Sequence, residues 1–129
     1  MTSFNAGPAR YYRLWSDAQG GSHCEEVSVG WREASDYAAG VPPVGMSEAF
    51  AAGEVHFSVL PAGWFGDWHP APSRQFVVLL RGRLEVTTGD GVITSGPGTV
   101  WLIEDTTGRG HCTRVPGDED AVRISVTLA

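Results

Sequence analysis

From residue 54 onward the chain is cut into short apolar runs, each followed by turn residues, and this rhythm constrains the fold more than any other feature. EVHFSVL is followed by PAG; then come WFGDWHPAPS, QFVVLLR with a break at Gly82, LEVTT, the turn GDG, VITS, the turn GPG, TVWLI, the loop EDTTGRG, HCTRV, the turn PGDED and AVRISVTL. Eight strand-like pieces at this spacing, with few residues left for helix, predict an all-β sandwich or barrel. The Asp90-Gly91 pair is read as a tight hairpin turn. In the last run Val122, Ile124, Val126 and Leu128 alternate with Arg123, Ser125 and Thr127, the period-two pattern of an outer or lid-side strand with one wet face. Before residue 54 the pattern weakens. Residues 11–15 and 26–31 read as strands, and SDYAAGVPPVGMSEAFAAG reads as a loop or short helical turn. Residues 1–53 are therefore expected to wrap over a barrel made by residues 54–129, within one domain.

Composition narrows the function classes. A chain of 129 residues, 42% of them apolar, builds one core. Its longest apolar stretch, residues 76–80, is far below the roughly 20 residues of a membrane helix, and the opening MTSFNAGPARYYRLW lacks a basic segment followed by an apolar one. A soluble cytoplasmic protein with no membrane partner is expected. Net charge is −6 and the nine basic residues, all Arg, are scattered, so no nucleic-acid groove is expected and small ligands are the favoured partners. Without Lys the chain forms no Schiff base, which excludes pyridoxal phosphate chemistry, and it has no phosphate-loop lysine. GxSxG, HExxH and GxGxxG are absent, and TTGRGH is too short to cradle a nucleotide. Cys24 and Cys112 are read as free thiols, since two cysteines without a CxxC pair make neither a disulfide scaffold nor a zinc knuckle.

Chemistry then rests on four histidines, His23, His56, His69 and His111. His69 has Ala71 and Gln75 on its parity in an extended chain, and His111 has Thr113 and Val115, so strand-mounted groups on a barrel wall can converge. The bland reading of His69 and His111 is hydrogen-bonded barrel lining. For His56 it is exposure to solvent, with Val55, Phe57 and Val59 facing inward. Trp64, Phe65 and Trp68 cluster beside His69, and Phe57, Phe76 and Trp101 lie on strands expected to flank the same cavity. Aromatic walls around a few polar groups suit a flat organic ligand, with ordinary core as the alternative for Phe57 and Trp101. Arg74 and Arg81 are candidates for a substrate carboxylate, or else surface ion pairs. Glu104 and Asp105, with Asp118, Glu119 and Asp120, read as acidic loop ends; a carboxylate near His111 would orient it, and a solvated loop is the blander reading.

The spacing around these histidines resembles the cupin superfamily of small double-stranded β-helix (jelly-roll) barrels. The first cupin motif is matched by Gly63, His69, Ala71 at the second His position, Gln75 at the Glu position and Gly82. The second is matched more loosely by Gly98, by Glu104 at a Pro position and by His111 after a loop two residues longer, with residues 83–97 between the motifs. GDWHPAPSRQF together with LIEDTTGRGH is similar to small single-domain cupins with this altered ligand set. The resemblance implies a divalent metal (Fe, Ni, Mn or Zn) held by His69 and His111 together with Gln75, with His56 as a replacement ligand. It also implies a homodimer. Trp68, Gln75, Trp64, Trp101 and Phe57 are then the substrate-binding set and His69 and His111 the catalytic pair. The expected function is a small-molecule enzyme acting on an aromatic or polyketide-like compound, as isomerase, cyclase, lyase or dioxygenase. It would work through a His-held metal or through His acid-base catalysis; the alternative is a non-catalytic ligand-binding or sensor barrel.

Overall fold

The computed structural model describes residues 9–129, and strands are the only regular structure among them. They are β1 (Arg10–Ser16), β2 (Ser22–Ser28), β3 (Arg32–Ala34), β4 (Val44–Met46), β5 (Ala52–Leu60), β6 (Phe65–His69), β7 (Gln75–Arg81), β8 (Leu84–Thr88), β9 (Gly91–Ser95), β10 (Val100–Ile103), β11 (His111–Arg114) and β12 (Ala121–Leu128). The eight pieces read after residue 54 are β5 to β12. Two sheets form a jelly roll: six strands in the order β2-β1-β10-β7-β12-β5, and four in the order β6-β11-β8-β9. A small ribbon of β3 and β4 stands apart.

Strand parity builds the core. Val77 and Leu79 of β7, Trp101 and Ile103 of β10 and Leu14 of β1 face inward from the large sheet and meet Leu84 and Val86 from β8 of the small one. Trp101 is 1% exposed and Tyr12 lies against its ring at 4.8 Å. The N-terminal part does two jobs. β1 pairs parallel to β10 and β2 pairs antiparallel to β1, so residues 10–28 extend the barrel's own sheet. Residues 47–50 then cross the outer face, where Phe50 meets Phe76 edge-on at 4.8 Å.

Three readings are corrected. The hairpin between β8 and β9 turns at Gly89 and Asp90, while Gly91 already pairs with Thr88. Its φ of 118° is a conformation that only glycine adopts freely, and it returns the chain to the strand. In β5, Val55, Phe57 and Val59 point outward and are 59%, 74% and 56% exposed, so Phe57 lines no cavity. Along β12, Ile124 and Val126 lie opposite Phe57 and Val55 on that same outer face, which puts Arg123 and Ser125 on the inner side. The alternation was real, but its polar face is the one turned inward.

One seam between the sheets is closed by ionisable groups. His23 of β2 sits 2.7 Å from Asp17 through Nε2 and 2.9 Å from Asp90 through Nδ1, with Trp15 stacked on its ring. Asp90 also accepts the Cys24 N–H, and the Gly89 N–H donates to Ser22 Oγ. Hydrogen bonds to Asp17 and Asp90 raise the His23 pKa above 6.5. Asp17 is lowered below 3.8, first by His23, and Asp90 is lowered first by the Cys24 N–H and then by His23. The imidazolium contribution is therefore complete below pH 6.5 and is lost as pH rises through the raised value. The carboxylate contribution is complete above pH 3.8 and is lost as pH falls through the lowered values. Urea titrations across pH should show the seam contributing fully between those limits. His23→Gln should flatten the alkaline limb of the stability profile; an unchanged profile would remove the seam from the account.

Candidate active site

His69 ends β6, His111 opens β11, and the antiparallel register places the two directly opposite each other. Their ring centroids are 5.0 Å apart. The approach depends on Gly110, whose φ is +73° and where an added Cβ would fall on the His69 carbonyl. The strand sequences supply the histidines, and a glycine lets them close.

The two rings are held differently. His69 is exposed, and its Nδ1 lies 2.6 Å from the Asp67 carbonyl, which only accepts, so Nδ1 donates and Nε2 carries the lone pair. His111 is 7% exposed and its Nδ1 lies 2.6 Å from Oδ2 of Asp105, a carboxylate with no exposed surface. That carboxylate fixes the ring and again leaves Nε2 free. Asp105 Oδ1 is buried without a hydrogen-bond partner among the described residues. The loop carrying Asp105 is tied down by its carbonyl, which accepts the Ala71 N–H at 2.9 Å. Ala71, at the second-histidine position of the motif, is packed in the core.

The other candidates are placed as follows. Gln75 opens β7 on the inward side shared with Val77, opposite Ile103, without a side-chain hydrogen bond to either histidine. His56 is half-exposed on β5, where it faces Glu54 at 3.2 Å and makes no hydrogen bond to either histidine of the pair. Trp101 is core, and Trp64 packs against the core with its ring over Gly66. Trp68 stays near the site, capped by the Arg109 guanidinium 3.9 Å above its ring. Arg74 is taken up with Arg13 in ion pairs to Glu104 at 2.7 and 2.6 Å. Burial would raise the Glu104 carboxyl, but these two cations outweigh it and hold it below 4.5. Burial pushes the Cys24 thiol to about 11, so it is no nucleophile at neutral pH.

Behind His111 the barrel interior is nearly filled. A cavity of about 20 Å³ remains, bounded by His111, Trp101, Thr113, Arg123 and aliphatic side chains. A cavity of about 540 Å³ lies on the outer face of the large sheet between Tyr11, Phe50 and Phe76, lined by neither histidine. The expected aromatic pocket is thus not built around the pair, because Phe57 faces out and Trp101 is used as core. Arg109 and Arg123 were missed as site residues. Arg109 follows the acidic loop end that carried the argument, and Arg123 was assigned to the wet face of β12.

Among the described residues no three His, Cys, Asp or Glu side chains converge as a metal-binding group. With Asp105 engaged on His111 Nδ1 and Ala71 silent, the set is two imidazoles and a neutral amide. It does not fit a resident metal held by three strong protein ligands.

A barrel of this topology with two histidines paired across adjacent strands defines a jelly-roll protein. Residues 55–127, more than half of the chain, match the cupin-domain family, and the protein belongs to the cupin family. No curated protein matches the sequence. Solved structures similar to it include a cupin domain from Bordetella pertussis Tohama I, 22% identical over 65% of this chain and 99% of that one, with a TM-score of 0.46. A sugar phosphate isomerase from a cupin superfamily of Silicibacter pomeroyi is 16% identical over 95% and 71%, with a TM-score of 0.48. The Cnp3 cupin domain of Schizosaccharomyces pombe is 14% identical over 95% and 84%, also at 0.48. No helix among the described residues is long and apolar enough to cross a membrane.

Asp105→Ala should cost about 1–3 kcal/mol in urea denaturation by stranding the buried His111 N–H. His69→Ala, at an exposed ring, should stay within about 0.5 kcal/mol. Equal losses for the two variants would contradict this division.

Proposed function

We propose that this cupin is a small-molecule enzyme that moves protons without a metal, with His111 as general base. The observation that carries the reading is the buried Asp105–His111 hydrogen bond, which orients an imidazole with a free Nε2 toward a second, exposed imidazole. In the reaction class that suits this pair, His111 Nε2 takes a proton from carbon next to a carbonyl, the C–H electron pair passes into an enolate, and the same proton, held on His111 Nε2 or passed from it to the Nε2 lone pair of His69, is returned at another carbon as the enolate collapses. The substrate class is an enolisable aromatic or polyketide-like carbonyl compound and the outcome is isomerisation. An interior of about 20 Å³ admits only the reacting end, so the body of the substrate stays at the mouth beside Trp68 and Arg109. A divalent metal shared by the two Nε2 atoms is the competing mechanism, and a barrel that binds ligand without turnover is the competing class.

The test is solvent deuterium exchange, followed by NMR, into a panel of aryl ketones and 1,3-dicarbonyl compounds after exhaustive chelation. Catalysed exchange that falls about 100-fold or more in His111→Gln supports the proposal, since general-base catalysis is typically worth 10²–10⁴-fold. Activity restored only by added metal would establish the metal route. Binding without exchange would make the protein a ligand-binding barrel.

The partner surface in this reading is a second copy. β5 ends the large sheet with one edge unpaired among the described residues, and Val55, Phe57 and Val59 rise beside it, continuous with Ile124 and Val126. Two such edges paired about a two-fold axis would cover both the apolar face and the open hydrogen-bonding groups. Light scattering should report a dimer that Phe57→Glu converts to a folded monomer; a monomeric wild type at high micromolar concentration would overturn it.

A further inference from the structure

A half-buried cation, Arg123, borders the interior of this barrel without a counter-ion among the described residues. Arg123 projects inward from β12, and its one side-chain hydrogen bond among the described residues is from Nε to Ser58 Oγ at 3.0 Å. It enters no ion pair with any described carboxylate, whereas Arg10, Arg13, Arg74 and Arg114 all do. The fork of Nη atoms is left over. Trp101 bounds the same cavity and is 1% exposed, yet its indole N–H meets no acceptor among the described residues. Thr113 adds a hydroxyl to the wall and His111 forms the side toward the mouth, while no Asp or Glu lines the space.

Desolvated donors cost free energy unless something accepts from them, and a buried charge costs most of all. Burial pulls the Arg123 guanidinium below its ordinary range, and no carboxylate opposes that pull. A cavity of about 20 Å³ is above the roughly 10–15 Å³ that one water-sized occupant needs. The cavity therefore has the size and the donor set for one anionic atom.

We propose that the barrel interior is an anion pocket in which the Arg123 guanidinium and the Trp101 indole N–H bind one small anion or the anionic oxygen of a substrate. For the substrate class this rests on the proton-transfer reading above: the enolate oxygen formed when His111 removes a proton enters the pocket, whose donors are in place before charge develops. The pocket itself stands without that reading. Arg123 is then a substrate-contacting residue on the far side of the reacting carbon from His69, and the required substrate feature is a carbonyl that ends the molecule.

The test uses the full-length ¹⁵N-labelled protein, titrated with sodium chloride and separately with sodium formate against sodium gluconate at constant ionic strength. The readout is the Trp101 indole N–H signal, assigned by its loss in Trp101→Phe. A saturable shift whose Kd rises at least tenfold in Arg123→Gln is expected. Chloride and formate both saturating would define a general small-anion pocket, and formate alone would define one for carboxylate or enolate oxygen. A shift that does not saturate, or the same Kd in Arg123→Gln, would overturn the proposal and leave an adventitious ion only. Arg123→Lys keeps the charge and removes the planar fork, so a severalfold weaker Kd is expected should the glutamine variant fail to fold, and an unchanged one would overturn the assignment. The wild-type protein separates the two readings: saturable, Arg123-dependent anion binding without catalysed deuterium exchange would keep the pocket and overturn only the proton-transfer reading.

Discussion

A carboxylate sealed from solvent governs the mouth of this barrel. Asp105 has no exposed surface, and burying an ionised group costs several kcal/mol unless partners replace the lost water. Two contacts hold the residue: Oδ2 meets the His111 imidazole, and its main-chain carbonyl accepts the Ala71 N–H, which fixes the loop but leaves the carboxylate's Oδ1 without a partner among the described residues. Each ties a different loop to the site. The Ala71 contact holds the chain between β6 and β7, which starts at His69; the His111 contact holds the start of β11. The two histidines face each other because both loops are anchored to one residue, and Gly110 removes the Cβ that would keep them apart.

This arrangement explains what the altered motif retains. A metal centre needs donors converging on one point, whereas a proton relay needs oriented lone pairs with their other nitrogens engaged. Both imidazoles have Nδ1 engaged, one by a main-chain carbonyl and one by a buried carboxylate. At the position of the missing second histidine, Ala71 fills core volume and supplies a backbone donor. The small side chain fits that core position, while the backbone donor that holds the Asp105 loop is one that any residue but proline would supply.

How far the sequence could be read depended on which physical signal each feature left. Strand positions after residue 54 were legible because turns and apolar runs alternate in the local sequence, and His69 and His111 were legible because spacing along paired strands survives in a motif. The facing of a strand is another matter. Period two says that Val122, Ile124 and Val126 share a side, but only the partners across the sheet decide which side is inside. β12 and β5 both place their larger apolar residues outward, and so Phe57 leaves the pocket and Arg123 enters it. Trp101 was consumed by the core for a related reason, since a single aromatic on an inward position fits either a cavity wall or its filling. The joining of β1 to β10 is a long-range parallel pairing with no local signature at all.

The inverted parity of β12 also gives the molecule its distribution of charge. A chain with net charge −6 has an acidic surface, and four of its nine arginines, Arg10, Arg13, Arg74 and Arg114, are paired with neighbouring carboxylates. Arg109 and Arg123 lie outside those pairs, one capping Trp68 at the mouth and the other inside the barrel, with His111 between mouth and cavity. Surface pairs are screened by water and add little, but a guanidinium in a nearly filled interior acts at short range and low dielectric. Selection of an anionic group would therefore occur after entry, by the interior donors, and not by attraction from solution, where the acidic surface repels anions. That order suits a site whose substrate arrives neutral and acquires its negative charge only when His111 has taken the proton.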